Sequence, residues 1–401
     1  MINVLVLSRN YPNNVLPYLG LWVEQWAKFT QGICDVRVVA PVPYYPPIPG
    51  PSEFQRFRQV PLRQKHDGVE VLHPRFITGP GYSTHNLESH LYYLGVSKTV
   101  DQLWKEKPFD LIHAHFIYPD GAVGAQLAER YNVPLVITEH AFWQPWLDQY
   151  PRVRERAVVA SKASAFHIAV SRSVKQNIAK FTGESDRIRV IPVGVDMDTF
   201  TPLPDGQKPE PDTILYVGRI HETKGVDVLL RAMQILKDRR PSVRLSLVGG
   251  SFYPQWREQE ERLKRLSEEL GLTNHVQFQG IQPPGSVAEA MRRSALLVLS
   301  SRRETLGAVL IEALACGTPV VATRCGGPED VVNDAVGKLV PSEDPSALAD
   351  AMEAVLKQRE QYDPQVLRKY AAERFSWQTI VAQTIDLYRS ALRIKTSGRN
   401  D

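Results

Sequence analysis

Residues 300–327 read SSRRETLGAVLIEALACGTPVVATRCGG, and this stretch indicates the fold of the second half of the chain. Glu304 comes just before an apolar, small-residue segment with a helical pattern, and Glu312 lies inside that segment. A short apolar run at Val320–Ala322 follows the helical segment. A buried helix that leads into a continuously apolar strand is typical of a parallel sheet with helices on both faces.

The same alternation of short apolar runs and longer helical patterns extends through the whole chain. The apolar runs are the predicted strands, which are Ile2–Ser8, Val36–Ala40, Val69–Leu72, Leu111–His113, Leu135–Thr138, Phe166–Val170, Ile188–Pro192, Ile214–Val217, Leu245–Val248, Val276–Gln279, Leu296–Leu299 and Val320–Ala322. Continuous apolar strands separated by helices predict an α/β fold of two tandem, Rossmann-like, doubly wound domains.

The length of the chain and one polar segment predict where these domains divide. A chain of 401 residues exceeds what one hydrophobic core usually reaches. The segment at 191–212 is rich in Pro, Gly and Asp, as linkers often are. The predicted first domain is 1–195, completed by a C-terminal helix at 377–395 with Ser376 as its N-cap, and the predicted second domain is 205–375. Ligands of open parallel sheets bind beyond the carboxyl ends of the strands, so the expected site is a central cleft that both domains face.

The composition excludes several classes of protein. The net charge of +4 argues against a nucleic-acid binder that relies on a dense basic field. Cys34, Cys316 and Cys325 have no metal-ligand spacing, and a reducing, cytoplasmic setting is expected. No apolar run approaches the roughly 18 residues of a membrane span. The N-terminal apolar run has no basic region before it, so it is predicted to be a strand and not a signal peptide.

One loop of the second domain combines cations with glycines. Gly218, Arg219, Lys224 and Gly225 follow the predicted strand that ends at Val217. Two cations in a strand-to-helix loop, with glycines that permit close approach of the backbone, suit a diphosphate. The alternative interpretation is a solvated basic loop.

Gly249 directly follows another predicted strand and could also let the backbone pass close to a ligand. A packed turn explains Gly249 equally well.

The two carboxylates of the opening stretch suit a ligand that lies across a helix end. Thr305, Leu306 and Gly307 precede the helix, whose free N–H groups form an anion site. Glu312 is expected about 12 Å along the helix axis from Glu304. A nucleotide-sugar could place its diphosphate at the helix end, with one carboxylate bound to the sugar and the other to the ribose. Alternatively, Glu304 is only a favourable charge at a helix N-terminus and Glu312 is exposed.

In the first domain, the candidates also lie at strand ends. Gly20 stands between the first strand and a helix, where it offers a backbone N–H or merely forms a helix-entry turn. His113, His115 and His140 lie at or beyond strand ends, and His140 directly follows Glu139. One of His113 and His115 is expected to face away from the site, because strand side chains alternate. No two histidines have helical ligand spacing, so no metal site is predicted.

Taken together, these motifs make the chain resemble retaining glycosyltransferases of family four, which have the GT-B fold. The matching segments are VGRIHETKG at 217–225, ETLGAVLIEALACGTPVVAT at 304–323, VIPVGVDMDTF at 190–200, DLIHAHF at 110–116 and TEH at 138–140. The second of these contains the family's Glu-x7-Glu motif. The resemblance covers nearly the whole chain.

The resemblance implies a role for each residue of the second domain named above. Arg219 and Lys224 would hold the diphosphate of the donor and stabilise its departure. Glu312 would bind the ribose hydroxyls, and Glu304 would contact the donor sugar. The N–H groups of residues 305–307 would bind sugar and phosphate.

For the first domain, the resemblance implies that Gly20 belongs to the family's glycine loop and that His140 is its active-site histidine. The implied catalytic residues are therefore His140, Glu304, Arg219 and Lys224.

The implied activity is transfer of a hexose from a UDP- or GDP-linked sugar to a saccharide or lipid-linked acceptor, in polysaccharide or glycolipid assembly. It would retain the anomeric configuration and need no metal and no cofactor. Two alternatives are a UDP-sugar epimerase of the same fold and a non-catalytic nucleotide-sugar binding protein. Basic stretches at 54–66 and 150–190 suggest peripheral contact with an anionic membrane at its inner, cytoplasmic face, although solvated helix faces would also explain them.

Overall fold

The chain divides into two units in a computed structural model that describes residues 1–44, 52–79, 85–143, 145–250 and 257–397. Unit one is Met1–Pro192 with Ile380–Asp401, and unit two is Val193–Thr379. Their boundary falls inside the Pro-, Gly- and Asp-rich segment at 191–212. Within the described ranges, no helix is long and apolar enough to cross a membrane.

Unit one alternates strands and helices. Its strands are β1 (Ile2–Leu7), β2 (Cys34–Val39), β3 (Val42–Tyr44), β4 (Arg63–His66), β5 (Val69–Leu72), β6 (Arg75–Ile77), β7 (Leu111–His115), β8 (Leu135–Glu139), β9 (Phe166–Ala169) and β10 (Ile188–Val190). Its helices are α1 (Leu21–Phe29), α2 (His85–Glu106), α3 (Ala122–Tyr131), α4 (Pro151–Ala163) and α5 (Arg172–Thr182).

The described strands of unit one form a large sheet in the order β10-β9-β8-β7-β1-β2-β5-β4 and a small one that pairs β3 with β6. Every pair in the large sheet is parallel except β4 with β5. Val4 of β1 lies between Val36 of β2 and Leu111 of β7. The strand order therefore reverses between β1 and β7, and the loops after these two strands lie side by side.

Unit two repeats this plan with a smaller sheet. Its strands are β11 (Glu210–Val217), β12 (Arg244–Val248), β13 (Val276–Gly280), β14 (Ser294–Leu299), β15 (Val320–Arg324) and β16 (Gly337–Pro341). Its helices are α6 (Val226–Arg239), α7 (Arg257–Glu269), α8 (Pro284–Arg293), α9 (Ala308–Ala315), α10 (Pro345–Lys357) and α11 (Pro364–Phe375). The described strands are all parallel, in the order β13-β12-β11-β14-β15-β16. Here the strand order reverses between β11 and β14.

The last helix, α12 (Trp377–Ser397), starts in unit two and continues into unit one. Ser376 caps it as predicted, because its Oγ accepts a hydrogen bond from the backbone N–H of Thr379 at 3.3 Å. Within unit one, Tyr388 of this helix is completely buried and its hydroxyl lies 2.6 Å from Nδ1 of His113.

Each of the twelve predicted strands overlaps an observed one, and the described residues also form β3, β4, β6 and β16, which were not predicted. The additional strands are short or polar. Arg63–His66, for example, reads RQKH and lies at the open edge of its sheet. An edge strand packs fewer apolar side chains, so it lacks the continuous apolar run from which buried strands are predicted.

Candidate functional site

In unit two, Lys224 and Glu304 come together at the point where the strand order reverses. Ile214 of β11 pairs with Leu296 of β14, so the loops that follow these two strands are neighbours. The Lys224 Nζ lies 2.5 Å from Oε2 of Glu304, and the two side chains are 15% and 13% exposed. Two predicted site residues that are 80 positions apart therefore form one ion pair beyond the sheet.

The backbone holds these two loops against each other. The Ser300 Oγ donates to the carbonyl of Lys224 at 3.0 Å, and the Arg302 N–H donates to the carbonyl of Thr223 at 2.8 Å. Gly225 has a φ of +59°, and a Cβ there would overlap the Ser300 carbonyl oxygen. The ion pair is thus built on fixed backbone, which reduces the ordering that a ligand must impose.

The glycine turns after β11 and β12 also touch. A Cβ at Gly249, whose φ is +130°, would overlap the carbonyl oxygen of Gly218. Gly218 is itself anchored, because its N–H donates to the Val248 carbonyl at 3.0 Å. Arg219 follows and is exposed, and its carbonyl accepts from the Tyr216 hydroxyl at 3.1 Å. The two glycine turns leave bare backbone at the carboxyl ends of adjacent strands, where an anion can approach closely.

Helix α9 begins after Gly307, which has a φ of +84° and serves as the N-cap. Leu306 is buried, and its backbone packs on Gly327 so closely that no Cβ fits there. The Thr305 N–H lies 3.2 Å from Oε1 of Glu304. The N–H groups at this helix start form a partial positive charge beside the Lys224–Glu304 pair.

The expected geometry of the two carboxylates is wrong in one respect. Glu304 is not part of the helix, since it lies in an isolated bridge with Gly326 and α9 starts at Ala308. The 12 Å separation along a helix axis therefore does not apply. Glu304 precedes the helix start, whereas Glu312 lies in the helix itself.

Glu312 is half-buried on α9, and burial raises the pKa of its carboxyl from 4.5 to about 7. In the described part of the chain, no donor is hydrogen-bonded to this carboxylate, so burial is the dominant influence on it. A half-buried carboxylate without such a partner is suited to accept hydrogen bonds from a ligand.

Replacing Glu312 with glutamine should make the protein more stable relative to wild type as the pH rises. The folded state binds the Glu312 proton more tightly than the unfolded state, so the stability from that carboxyl is fully present below pH 4.5 and is lost as the pH rises through about 7. Urea unfolding at pH 5 and pH 8 should show Glu312→Gln gaining about 2 kcal/mol on wild type between these values. The exposed Glu373→Gln is the control, and an equal response of both variants would contradict the prediction.

In unit one, Gly20 starts α1 in the left-handed conformation, with a φ of +75°. A Cβ there would overlap the carbonyl oxygen of Asn10, so the loop after β1 closes tightly on itself. Two residues later, Trp22 lies 5.6 Å from the ring of His140. Gly20 and His140, both predicted site residues, are thus brought together through Trp22.

The expectation that one of His113 and His115 faces away is wrong. Residues i and i+2 of a strand point to the same face, and the two rings are 4.4 Å apart. The Nδ1 of His115 lies 3.0 Å from Nε2 of His140. Burial lowers the pKa of His113 and of His140 to about 3, so both are neutral at physiological pH. His140 is therefore an uncharged ring that can take part in hydrogen bonds.

Glu139 organises the loop that contains His140, a role that the sequence did not reveal. Its carboxylate is completely buried and accepts from the N–H groups of Ile117, His140 and Ala141 at 2.9, 2.8 and 2.7 Å, and from Trp143 Nε1 at 2.5 Å. Burial raises the pKa of Glu139 to about 7, and the four hydrogen bonds oppose that rise. A charged residue at the end of an otherwise apolar strand was the available signal. Among the described residues, no group of three or more His, Cys, Asp or Glu side chains could hold a metal ion.

Comparison with known proteins adds family information to this geometry. Residues 203–374 match the family model of glycosyl transferases group 1, and residues 30–199 match that of Glycosyltransferase Family 4. Two similar relatives are D-inositol 3-phosphate glycosyltransferases. The protein from Corynebacterium jeikeium is 34% identical over 70% of this chain and 72% of its own length. The protein from Xylanimonas cellulosilytica is 32% identical over 84% of this chain and 85% of its own length.

Two solved structures share the fold. Sucrose-phosphate synthase from Thermosynechococcus elongatus has a TM-score of 0.78 at 23% identity, covering 98% of this chain and 100% of that one. HepE of Anabaena, solved with UDP and glucose, has a TM-score of 0.74 at 21% identity. The match covers 97% of this chain and 100% of the HepE chain. At such low identity the likeness concerns the fold alone, and it confirms the predicted α/β class with two Rossmann-like domains.

Proposed function

The chain belongs to the family 4 glycosyltransferases, and from that premise we propose that it transfers a sugar from a nucleoside diphosphate-sugar to an acceptor hydroxyl with retention of anomeric configuration. The observation that carries this proposal is the Lys224–Glu304 pair beside the start of α9 and the glycine turns of unit two. A cation, a carboxylate and the N–H groups at a helix start together match the phosphate and hydroxyl groups of such a donor.

In the proposed mechanism, unit two holds the donor and stabilises its leaving group. The bond between the anomeric carbon and the diphosphate oxygen breaks, and the electron pair stays on that oxygen. Lys224, Arg219 and the N–H groups of residues 305–307 would stabilise the charge that develops there. Glu304 would accept hydrogen bonds from the sugar, and Glu312 from the ribose hydroxyls. The 401-residue chain should therefore bind a nucleoside diphosphate without sugar.

Unit one would supply the acceptor side. The acceptor oxygen attacks from the face that the diphosphate leaves, and its proton passes to a diphosphate oxygen, so no protein nucleophile and no metal is required. Neutral His140 would hydrogen-bond to the reacting sugars. The proposal includes peripheral attachment to an anionic membrane surface, supported by exposed Arg152, Arg154 and Lys162 on α4.

Nucleotide binding followed by product analysis tests the proposal. UDP or GDP at a hundredfold excess over its Kd should stabilise the protein by about 2.7 kcal/mol in a thermal-shift measurement. UDP- and GDP-sugars should then be incubated with acceptor glycosides and the anomeric proton of the product examined by NMR. Failure of both nucleotides to bind, or an inverted product, would contradict the proposal. Epimerisation of the donor without acceptor would instead favour an epimerase.

A further inference from the structure

His115, the last residue of β7, is a buried histidine that contacts His140 directly. Its side chain is 3% exposed, and its Nδ1 lies 3.0 Å from Nε2 of His140. The two rings are inclined by only 14°, and their centroids are 5.3 Å apart. That separation is close to the largest that a 3.0 Å contact between the two nitrogens allows. Both nitrogens therefore lie near the line that joins the rings, which is the geometry of a well-aligned hydrogen bond.

The surroundings of His115 indicate which nitrogen of this hydrogen bond carries the proton. The other ring nitrogen of His115, Nε2, is buried and has no hydrogen-bonded partner among the residues that the structure describes. The Nε1 of Trp26, whose ring packs 6.0 Å from that of His115, is also buried without such a partner in the described ranges. A proton on Nε2 of His115 would bury two unpaired N–H groups in one aromatic contact, and each costs free energy comparable to a lost hydrogen bond. The proton therefore belongs on Nδ1 of His115, which donates to Nε2 of His140.

His113 holds the ring of His115 in this orientation. The two rings are 4.4 Å apart. His113 is itself fixed at both nitrogens, because its Nδ1 lies 2.6 Å from the Tyr388 hydroxyl and its Nε2 lies 2.7 Å from Oγ1 of Thr138. Burial lowers the pKa of His115 well below 6.5, and the neighbouring His113 and His140 lower it further. A neutral His115 has a single ring N–H, and His140 is the residue that accepts its hydrogen bond.

We propose that His115 is a positioning residue for His140: it occupies Nε2, so that His140 carries its own single proton on Nδ1. This Nδ1 has no hydrogen-bonded partner within the described part of the chain, so its N–H is available to the reacting sugars. A neutral histidine without such a neighbour exchanges between two tautomers, and only one of them offers this donor. The inference rests on the proposed function, because the donor matters for catalysis only if His140 contacts the reacting sugars.

Two substitutions of nearly equal size separate positioning from packing. His115→Asn keeps an N–H donor close to the place of Nδ1, whereas His115→Leu has almost the same shape and no donor. With a nucleotide-sugar and a glycoside that wild type accepts, we expect kcat to fall about tenfold in His115→Leu, the effect of one hydrogen bond, and to recover largely in His115→Asn. The Kd for UDP should stay at the wild-type value in both variants. A residue that only fills space would give the reverse order, because a buried leucine costs less than a buried asparagine.

His167→Leu is the matched control. His167 is a histidine of β9 in unit one that is 2% exposed, and burial lowers its pKa to about 3. Neither of its ring nitrogens has a hydrogen-bonded partner among the described residues, so leucine removes no hydrogen bond there. This variant also loses a buried, neutral imidazole, and it should keep the kcat of wild type.

The tautomer of His140 can be measured in wild type, which makes this test independent of the folding of any variant. Long-range proton–nitrogen correlation NMR on protein with nitrogen-15 in its histidine rings distinguishes protonated from bare ring nitrogens. We expect His140 to be protonated on Nδ1 and bare on Nε2 in wild type, and both nitrogens to be partly protonated in His115→Leu. If His115→Leu does not fold, the wild-type tautomer alone decides.

Three outcomes would overturn the proposal: a proton on Nε2 of His140 in wild type, a wild-type kcat in His115→Leu, or a kcat in His115→Asn that is no higher than in His115→Leu. Calorimetric titration with UDP and GDP separates this inference from the proposed function. Wild type that binds nucleotide and transfers sugar, but gives any of these outcomes, overturns only the role of His115. Wild type that binds neither nucleotide overturns the proposed function itself.

Discussion

Replacing Lys224 with alanine should lower kcat/KM by about a thousandfold while the protein remains folded. Removal of a single group that stabilises charge in a transition state typically costs a factor of about 10² to 10³. The backbone of this loop keeps its own bonds, because the Lys224 N–H donates to the His221 carbonyl at 2.8 Å and its carbonyl accepts from Ser300. The two side chains of the Lys224–Glu304 pair are only 15% and 13% exposed, so the variant leaves a largely buried carboxylate without its cation, and a stability loss of about 2 kcal/mol is expected.

Initial-rate kinetics on a glycoside that wild type accepts, together with urea unfolding, measure both effects. Lys338→Ala is the matched control, because Lys338 is a lysine of unit two that pairs with Asp334 at 3.2 Å on the surface. It should keep wild-type turnover. A Lys224→Ala protein with wild-type turnover would refute the role assigned to Lys224. Loss of the folded signal in that variant would show that the lysine is needed for structure instead.

The largest effect on stability is expected for Gly20→Ala. Gly20 has a φ of +75°, and an alanine Cβ would collide with the Asn10 carbonyl oxygen, which belongs to the backbone and cannot rotate away. The left-handed conformation alone costs an alanine about 1–2 kcal/mol, and forced overpacking adds about 1–3 kcal/mol. We expect a total loss of roughly 3 kcal/mol and displacement of the Trp22–His140 contact.

Gly183→Ala separates these two costs. Gly183 has nearly the same φ, +76°, but a Cβ there meets nothing within 4 Å. Its variant should lose only the about 1–2 kcal/mol of backbone strain, as measured by urea unfolding. An equal loss of unfolding free energy in the two variants would mean that the loop after β1 rearranges to accommodate the added methyl group. The close contact between Gly20 and Asn10 would then contribute nothing to stability.

The sequence predicted the parts of the fold that depend on local pattern. Most of the twelve predicted strands are buried parallel strands with apolar runs, which is why the pattern indicates them, whereas short or polar strands such as Arg63–His66 were not predicted. Lys224 and Glu304 were each identified from their own loops. Their direct contact could not be read from the sequence, because it requires β11 and β14 to be neighbours in the sheet although β12 and β13 come between them along the chain.

The histidines show the other limit of sequence reasoning. Side chains of a strand alternate between its two faces, so residues two positions apart, such as His113 and His115, lie on the same face. The expectation that one of them faces away was therefore wrong. The link from His115 to His140 and the four donors to Glu139 come from different segments of the chain. Contacts of this kind require tertiary structure. The chemical roles assigned to Arg219, Lys224, Glu304, Glu312 and His140 remain predictions that the variants and ligands above will test.

The path of α12 has a consequence for the order of events during synthesis. Tyr388 packs on Trp26 and hydrogen-bonds to His113, so residues that follow unit two in the chain fill the core of unit one. All of unit two leaves the ribosome before these residues do. Unit one therefore cannot complete its core until the segment beyond unit two has been translated. Unit two can fold while the nascent polypeptide is still growing.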